Sequence, residues 1–188
     1  MTSFLRFVLK LFAWIAGIAI AMILLYSLLG LPGQIGVCFG LVIAGAFLIV
    51  GVGHVLRIHS LSFPLPPDAY EVKHVREADL NVPYDTAFDL CRDSLFSLRR
   101  SSINKESKSL GRIDAKTGLS WWSWGNRISI HLDKLSDSST HIQVVCEPIV
   151  RTTMVDFGSN LENAEQIILF LTPYRQVNTS PQMVSSGS

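Results

Sequence analysis

L-F-A-W-I-A-G-I-A-I-A-M-I-L-L-Y-S-L-L (11–29) and I-G-V-C-F-G-L-V-I-A-G-A-F-L-I-V-G-V-G-H-V (35–55) carry no Asp, Glu, Lys or Arg, and His54 is their one ionisable imidazole. Gly30-Leu31-Pro32-Gly33-Gln34 separates the two runs. At about 1.5 Å rise per residue, each run is long enough to cross a hydrocarbon core of ~30 Å. A buried soluble hairpin seldom has two adjacent uncharged runs of this length. The expectation is therefore a two-helix transmembrane hairpin over residues 1–59.

Charge divides the chain at the same place. Every Asp and Glu lies between Asp68 and Glu165, and the first 67 residues hold only Arg6, Lys10 and Arg57 as cations. The remaining sequence suffices for one small hydrophobic core. It is slightly acidic, which argues against a phosphate-tracking nucleic-acid surface. Cys38, Cys91 and Cys146 are too few and too irregular for a disulfide framework. Arg6 and Lys10 precede the first span, the turn between spans is uncharged, and Arg57 follows the second. The positive-inside rule then predicts a multi-pass inner-membrane protein with both termini cytoplasmic. As a cleaved signal peptide, residues 1–30 would have too long an apolar region and no A-x-A site.

Small residues recur at fourfold spacing, as Ala13, Gly17 and Ala21 in the first span and Gly36, Gly40 and Ala44 in the second. Each set shares a helical face, so the expectation is that the two spans pack through them, with homodimerisation as the alternative use. Residues 60–69 read as a linker. Within S-L-S-F-P-L-P-P (60–67), three prolines in four residues exclude helix and favour extended polyproline geometry. At about 3.1 Å per residue, the following domain stands at most some 20–25 Å from the bilayer.

Residues 70–175 read as an α+β domain. A strand over 70–80 is followed by a helix opened by Pro83, whose stripe is Tyr84, Phe88, Cys91, Leu95 and Leu98. Arg99 and Arg100 at its end match the helix dipole. Strands follow over 102–107, 112–117, 127–135 and 140–147. Ile128, Ile130 and Leu132 face inward, opposite Cys146, Val144 and Ile142, which sets the register. Ser159-x-x-Glu162 is a capping-box pattern, and Leu161, Ala164, Ile168 and Leu171 form the stripe of a last helix, stopped before Pro173. The order β-α-β-β-β-β-α predicts one antiparallel sheet with two helices on one face. The tail, 176–188, is polar and aperiodic, which predicts disorder.

Two segments stand out as candidate sites. T-G-L-S-W-W-S-W-G (117–125) holds Trp121, Trp122 and Trp124, which either fill the end of a small core, line an apolar pocket, or rest on headgroups or a partner. R-T-T-M-V-D-F-G-S-N (151–160) leads into the last helix. There Asp156 can hold loop amides, and Arg151 could assist anion capture at the helix N-terminus, an arrangement that Asp156 opposes. No His-x-x-x-His or Cys-x-x-Cys spacing predicts a metal, and no cofactor fingerprint occurs. His141 is expected to face Asp133 on the outer sheet surface, with His131 nearby. His54 and His59 flank Arg57, where snorkelling polar groups are common.

G-R-I-D-A-K-T-G-L-S-W-W-S-W-G-N-R-I (111–128) and T-T-M-V-D-F-G-S-N (152–160) resemble motifs of an uncharacterised bacterial family of small α+β domains, often found beside membrane spans. More distantly, the element order is similar to the START-like (SRPBCC) architecture. That resemblance implies a grip between sheet and helix that holds apolar ligands. Together these features predict a membrane-anchored, non-enzymatic module that binds a lipid-like ligand, the bilayer surface or a membrane-protein partner, but not nucleic acid. Trp121, Trp122, Trp124, Arg151 and Asp156 are its candidate contact residues. A membrane-proximal enzyme using Asp156 or His131 as acid/base, and a structural subunit of a membrane complex, are the alternatives.

Overall fold

A computed structural model describes residues 2–30, 32–61, 64–119, 124–150, 152–153 and 155–175. Two apolar helices, α1 (Ser3–Leu28) and α2 (Gly33–His59), precede β1 (His74–Leu80), α3 (Tyr84–Phe96), β2 (Ser101–Ser107), β3 (Arg112–Thr117), β4 (Asn126–Lys134), β5 (Thr140–Pro148) and α4 (Ser159–Leu171). Both α1 and α2 are long and apolar enough to cross a membrane, and almost all their side chains face outward. The remainder is the expected α+β unit, a five-stranded antiparallel sheet in the order β1-β5-β4-β3-β2.

Strict alternation makes the sheet amphipathic. Ile128 pairs with Cys146, Ile130 with Val144 and Leu132 with Ile142. These side chains, with Ile113 and Ala115 from β3, are buried under α3 and α4. Each fully buried isoleucine contributes about 1.5–3 kcal/mol, so this one face dominates the stability of the domain. Cys91 and Cys146 lie in this core, and burial pushes both thiols up to about 12. They are inert packing groups. His141 does face Asp133 in register, but its Nδ1 lies 2.6 Å from Asp79 on β1 instead. β5 sits between two strands, and the β1 carboxylate reaches the ring.

The structure departs from the sequence expectations at the edges of elements and between the two apolar helices. β1 starts at His74, because residues 66–71 form tight turns, Ala69 N to Pro66 O and Glu71 N to Asp68 O. Those turns fold Ala69 and Tyr70 back against Ile58 and Leu161. The domain thus docks on the end of the hairpin, and the reach of the linker is not used. Ser159 does not cap α4. Gly158 occupies the cap, with Asp156 accepting the first amides, so Ser159 and Glu162 are released to other partners.

Neither small-residue face forms the seam as a whole: a Cβ on Gly17 or on Gly40 would meet nothing within 4 Å. Gly36 is buried against Tyr26, and a Cβ on it would meet that ring at 3.1 Å. Gly17 has nothing within 4 Å of such a Cβ, and Ala13, Gly17 and Ala21 line an outward groove. The α1 side of the seam is built from Phe7, Leu11 and Tyr26, larger residues at helical spacing. Leu11 packs on Gly51, where an added Cβ would come within 2.7 Å of it. Gly17→Leu is therefore expected to leave thermal stability in detergent within about 0.5 kcal/mol of wild type. Gly36→Leu, driven into Tyr26, should cost about 1–3 kcal/mol. Equal effects of the two would place the seam elsewhere.

Candidate functional site

The site grows from the joint between hairpin and domain. Asp156, only 1% exposed, accepts hydrogen bonds from Gly158 N at 3.1 Å, Asn160 N at 2.9 Å and Asn160 Nδ2 at 2.9 Å. Phe157 and Gly158 follow in left-handed conformation, with φ of 51° and 72°. This turns Phe157 toward α2, where its ring lies 6.0 Å from His54, edge to face, and 3.6 Å from the position of a Cβ on Gly53. Phe7 packs on the other side of His54 at 4.8 Å, and Tyr70 lies at 6.3 Å. His54 is thus fully buried rather than snorkelling, and its ring nitrogens have no hydrogen-bond partner among the described residues.

Charged pairs surround this apolar plug. Arg57 reaches Glu162 at 2.8 Å, and Arg6 lies 3.1 Å from Glu71. Arg76 bonds Glu165 at 2.6 Å and Asp68 at 2.9 Å, while His74 Nδ1 lies 3.0 Å from the same Asp68 oxygen. Burial alone would raise the Asp68 carboxyl, but the hydrogen bonds and charges of Arg76 and His74 outweigh it and hold the group below the usual carboxylate range. A carboxyl lowered in the folded state stabilises above its unfolded pKa, and that stability disappears as pH falls through the folded value. The joint should therefore weaken below about pH 4. Melting curves at neutral and acid pH check this. Asp68→Asn should lower stability at neutral pH and shrink the acid-induced loss.

Beside the joint opens a cleft of about 590 Å³. Arg57 from the last turn of α2, Phe157, and Ser159, Glu162, Asn163 and Gln166 of α4 form one side. Thr117 at the end of β3, Gly118 and Leu119 just beyond it, and Arg99 and Arg100 from the turn between α3 and β2 form the other. Arg100 has a left-handed backbone, φ 56°. Its carbonyl accepts from Gly118 N at 3.0 Å, and its guanidinium donates to Leu119 O at 3.1 Å. Arg99 has no hydrogen bond or ion pair among the described residues. Asn163 Nδ2 is buried at the wall without an acceptor among them. Thr117 Oγ1 accepts from Asn126 N, and Asn126 Nδ2 donates to Ser159 Oγ at 2.8 Å, which ties the two walls together at the base.

No protein-family model and no curated protein matches this chain.

The two segments singled out from the sequence do meet here, through Thr117–Leu119 and Phe157–Ser159. Trp121, Trp122 and Arg151 lie outside the described residues, as does the tail 176–188. Trp124 is 74% exposed, just before the kink at Gly125, where φ is 93°. Asp156 is a structural cap. Because it takes the first amides of α4, those amides do not face a ligand. Asp156 also lies on the helix side of the sheet, while His131 projects from the outer face between Arg112 and Gln143. No group of three or more metal-ligating side chains occurs among the described residues. Arg57, Arg99 and Arg100 went unrecognised as site residues, because beside a span or at the end of a helix each already has an ordinary explanation. The one local signal was the Arg-Arg doublet running straight into a strand.

Proposed function

We propose that this chain is a membrane-anchored binding module, held at the cytoplasmic face of the inner membrane by α1 and α2, which takes a ligand in the cleft between hairpin and domain. The observation that carries this reading is that anchor and domain build the cleft together, Arg57 from α2 opposite Arg99 and Arg100 from the domain. A ligand held there touches both parts, so binding and membrane position are coupled. Topology rests on Arg6, Lys10 and Arg57, which cluster at the end of the hairpin where the domain docks. A grip between sheet and helix draws less support, since Leu95, Ile130, Val144, Ala164 and Ile167 fill that interface.

Native mass spectrometry of the full chain, extracted gently from its own membrane, tests this reading. A stoichiometric small-molecule adduct is expected. It should be lost in Gln166→Trp, which places a large side chain from an exposed helix position into the cleft. An adduct retained in full by that variant, or none in wild type, sinks the reading. The outward groove along Ala13, Gly17 and Ala21 favours a second reading, in which α1 docks a helix of a membrane partner. Stable co-purification lost in Gly17→Leu would mark that case.

A further inference from the structure

We infer that the ligand of this cleft is a phosphate-bearing anion, supplied by the headgroup of an acidic phospholipid. This rests on the reading of the cleft as the ligand site and adds the chemistry of the occupant. Three arginines, Arg57, Arg99 and Arg100, line the cleft with one carboxylate, Glu162, which is already bonded to Arg57. Guanidinium forks match phosphate oxygens in geometry as well as charge. Asn163 Nδ2, buried in the same wall, is a further donor that lacks an acceptor. The cleft therefore offers an excess of donors and positive charge, and its complement is an acceptor-rich anion.

Arg100 carries a second, independent mark. A side chain in left-handed backbone costs about 1–2 kcal/mol, which glycine at the same position would avoid. Strain held at a cationic residue that lines a cleft is the pattern of a functional position. Asp156 already accepts from Gly158 N and Asn160 N at the start of α4. Recognition of charge thus falls to the arginines.

The source of the phosphate follows from position. Phe157 seats against Gly53, about one helical turn inside the span from Arg57. The wall formed by Arg57 and Phe157 therefore lies where α2 leaves its apolar run, the depth of lipid headgroups. Leu119, which lines the cleft, is 62% exposed, and Trp124, just before Gly125, is 74% exposed. Gly125 O accepts from Ile149 N at 3.1 Å and brings exposed Ile149 beside them. Exposed apolar side chains beside a cationic cleft suit a lipid, whose glycerol and acyl chains continue from the phosphate. A free phosphate has no use for them.

The test uses the full chain in phosphatidylcholine nanodiscs, with or without phosphatidylglycerol, and separately with glycerol 3-phosphate added to phosphatidylcholine discs. Thermal melting and lipid retention by native mass spectrometry are the readouts. Phosphatidylglycerol should raise the melting temperature and be retained over phosphatidylcholine. Arg99→Gln and Arg100→Gly should each weaken that retention about tenfold, the effect of one hydrogen bond to a charged group. Arg100→Gly should also melt no lower than wild type in phosphatidylcholine alone, because it relaxes the backbone. Equal retention of the two lipids, or retention unaffected by both variants, overturns the inference. A shift with glycerol 3-phosphate but none with phosphatidylglycerol overturns the lipid source. A phosphate-free adduct that Gln166→Trp removes would overturn the inference and leave the cleft as the ligand site.

Discussion

Asp156→Ala should destabilise the protein by about 3 kcal/mol or more, well beyond an ordinary surface substitution. The carboxylate is buried and accepts three hydrogen bonds, from Gly158 N, Asn160 N and Asn160 Nδ2. Removing it leaves two buried amides at the start of α4 without an acceptor, each worth about 1–3 kcal/mol. The loss also removes a negative charge from a helix N-terminus, where it is favourable. Asp156→Asn keeps one acceptor oxygen but turns a donor toward donors, so it should fall between Ala and wild type. Denaturant unfolding of the full chain in detergent measures both. A wild-type midpoint for the alanine variant would show that the carboxylate does not organise the α4 start.

Gly158→Val should be comparably severe and should act mainly at the joint. Gly158 holds φ at 72°, which L-residues reach only at about 1–2 kcal/mol, and β-branched ones with more difficulty. A Cβ there would meet Ile58 Cγ1 and Leu61 Cδ1, both at 3.2 Å. Ile58, at the end of α2, and Leu61, just beyond it, belong to the joint with the domain, so the valine pushes the halves apart while it strains the cap. A loss of about 3 kcal/mol is expected from strain and overpacking together, with Gly158→Ala about half as costly. The sheet core is remote and should survive. The predicted signature is faster proteolytic cleavage within residues 60–67 at unchanged far-ultraviolet circular dichroism. Unchanged cleavage with a normal melt would show that Ile58 and Leu61 yield easily and that the joint is loose.

Both variants bear on the cleft through geometry. The turn Asp156–Gly158 places Phe157 on α2 and sets Glu162 against Arg57. If the turn is lost, one wall of the cleft moves away from the arginines on the other. Ligand retention should then fall without any change to a contact residue, which separates these positions from Arg99 and Arg100.

What local sequence determined by itself was every element whose pattern is periodic. Two uncharged apolar runs specify α1 and α2. The stripe of Tyr84, Phe88, Cys91 and Leu95 specifies α3, and strict alternation pairs Leu132 with Ile142 without knowledge of the rest of the fold. A one-residue slip in that pairing would have turned the whole apolar face to water, so the register had one solution. Tertiary structure alone decided the relations between elements. Uniformly apolar spans have no polar face to orient them, and so the small residues of α1 and α2 looked equivalent until Tyr26 on Gly36 and Leu11 on Gly51 set the seam. His54 looked like an interfacial group because nothing near it in sequence covers it. Phe7, Tyr70 and Phe157, from three distant segments, bury it. The cleft has the same origin. Arg57 and the Arg99–Arg100 doublet become neighbours only because Ile58, Ala69 and Leu161 dock the domain on the hairpin, and apolar contact between distant segments leaves no period in the chain to read.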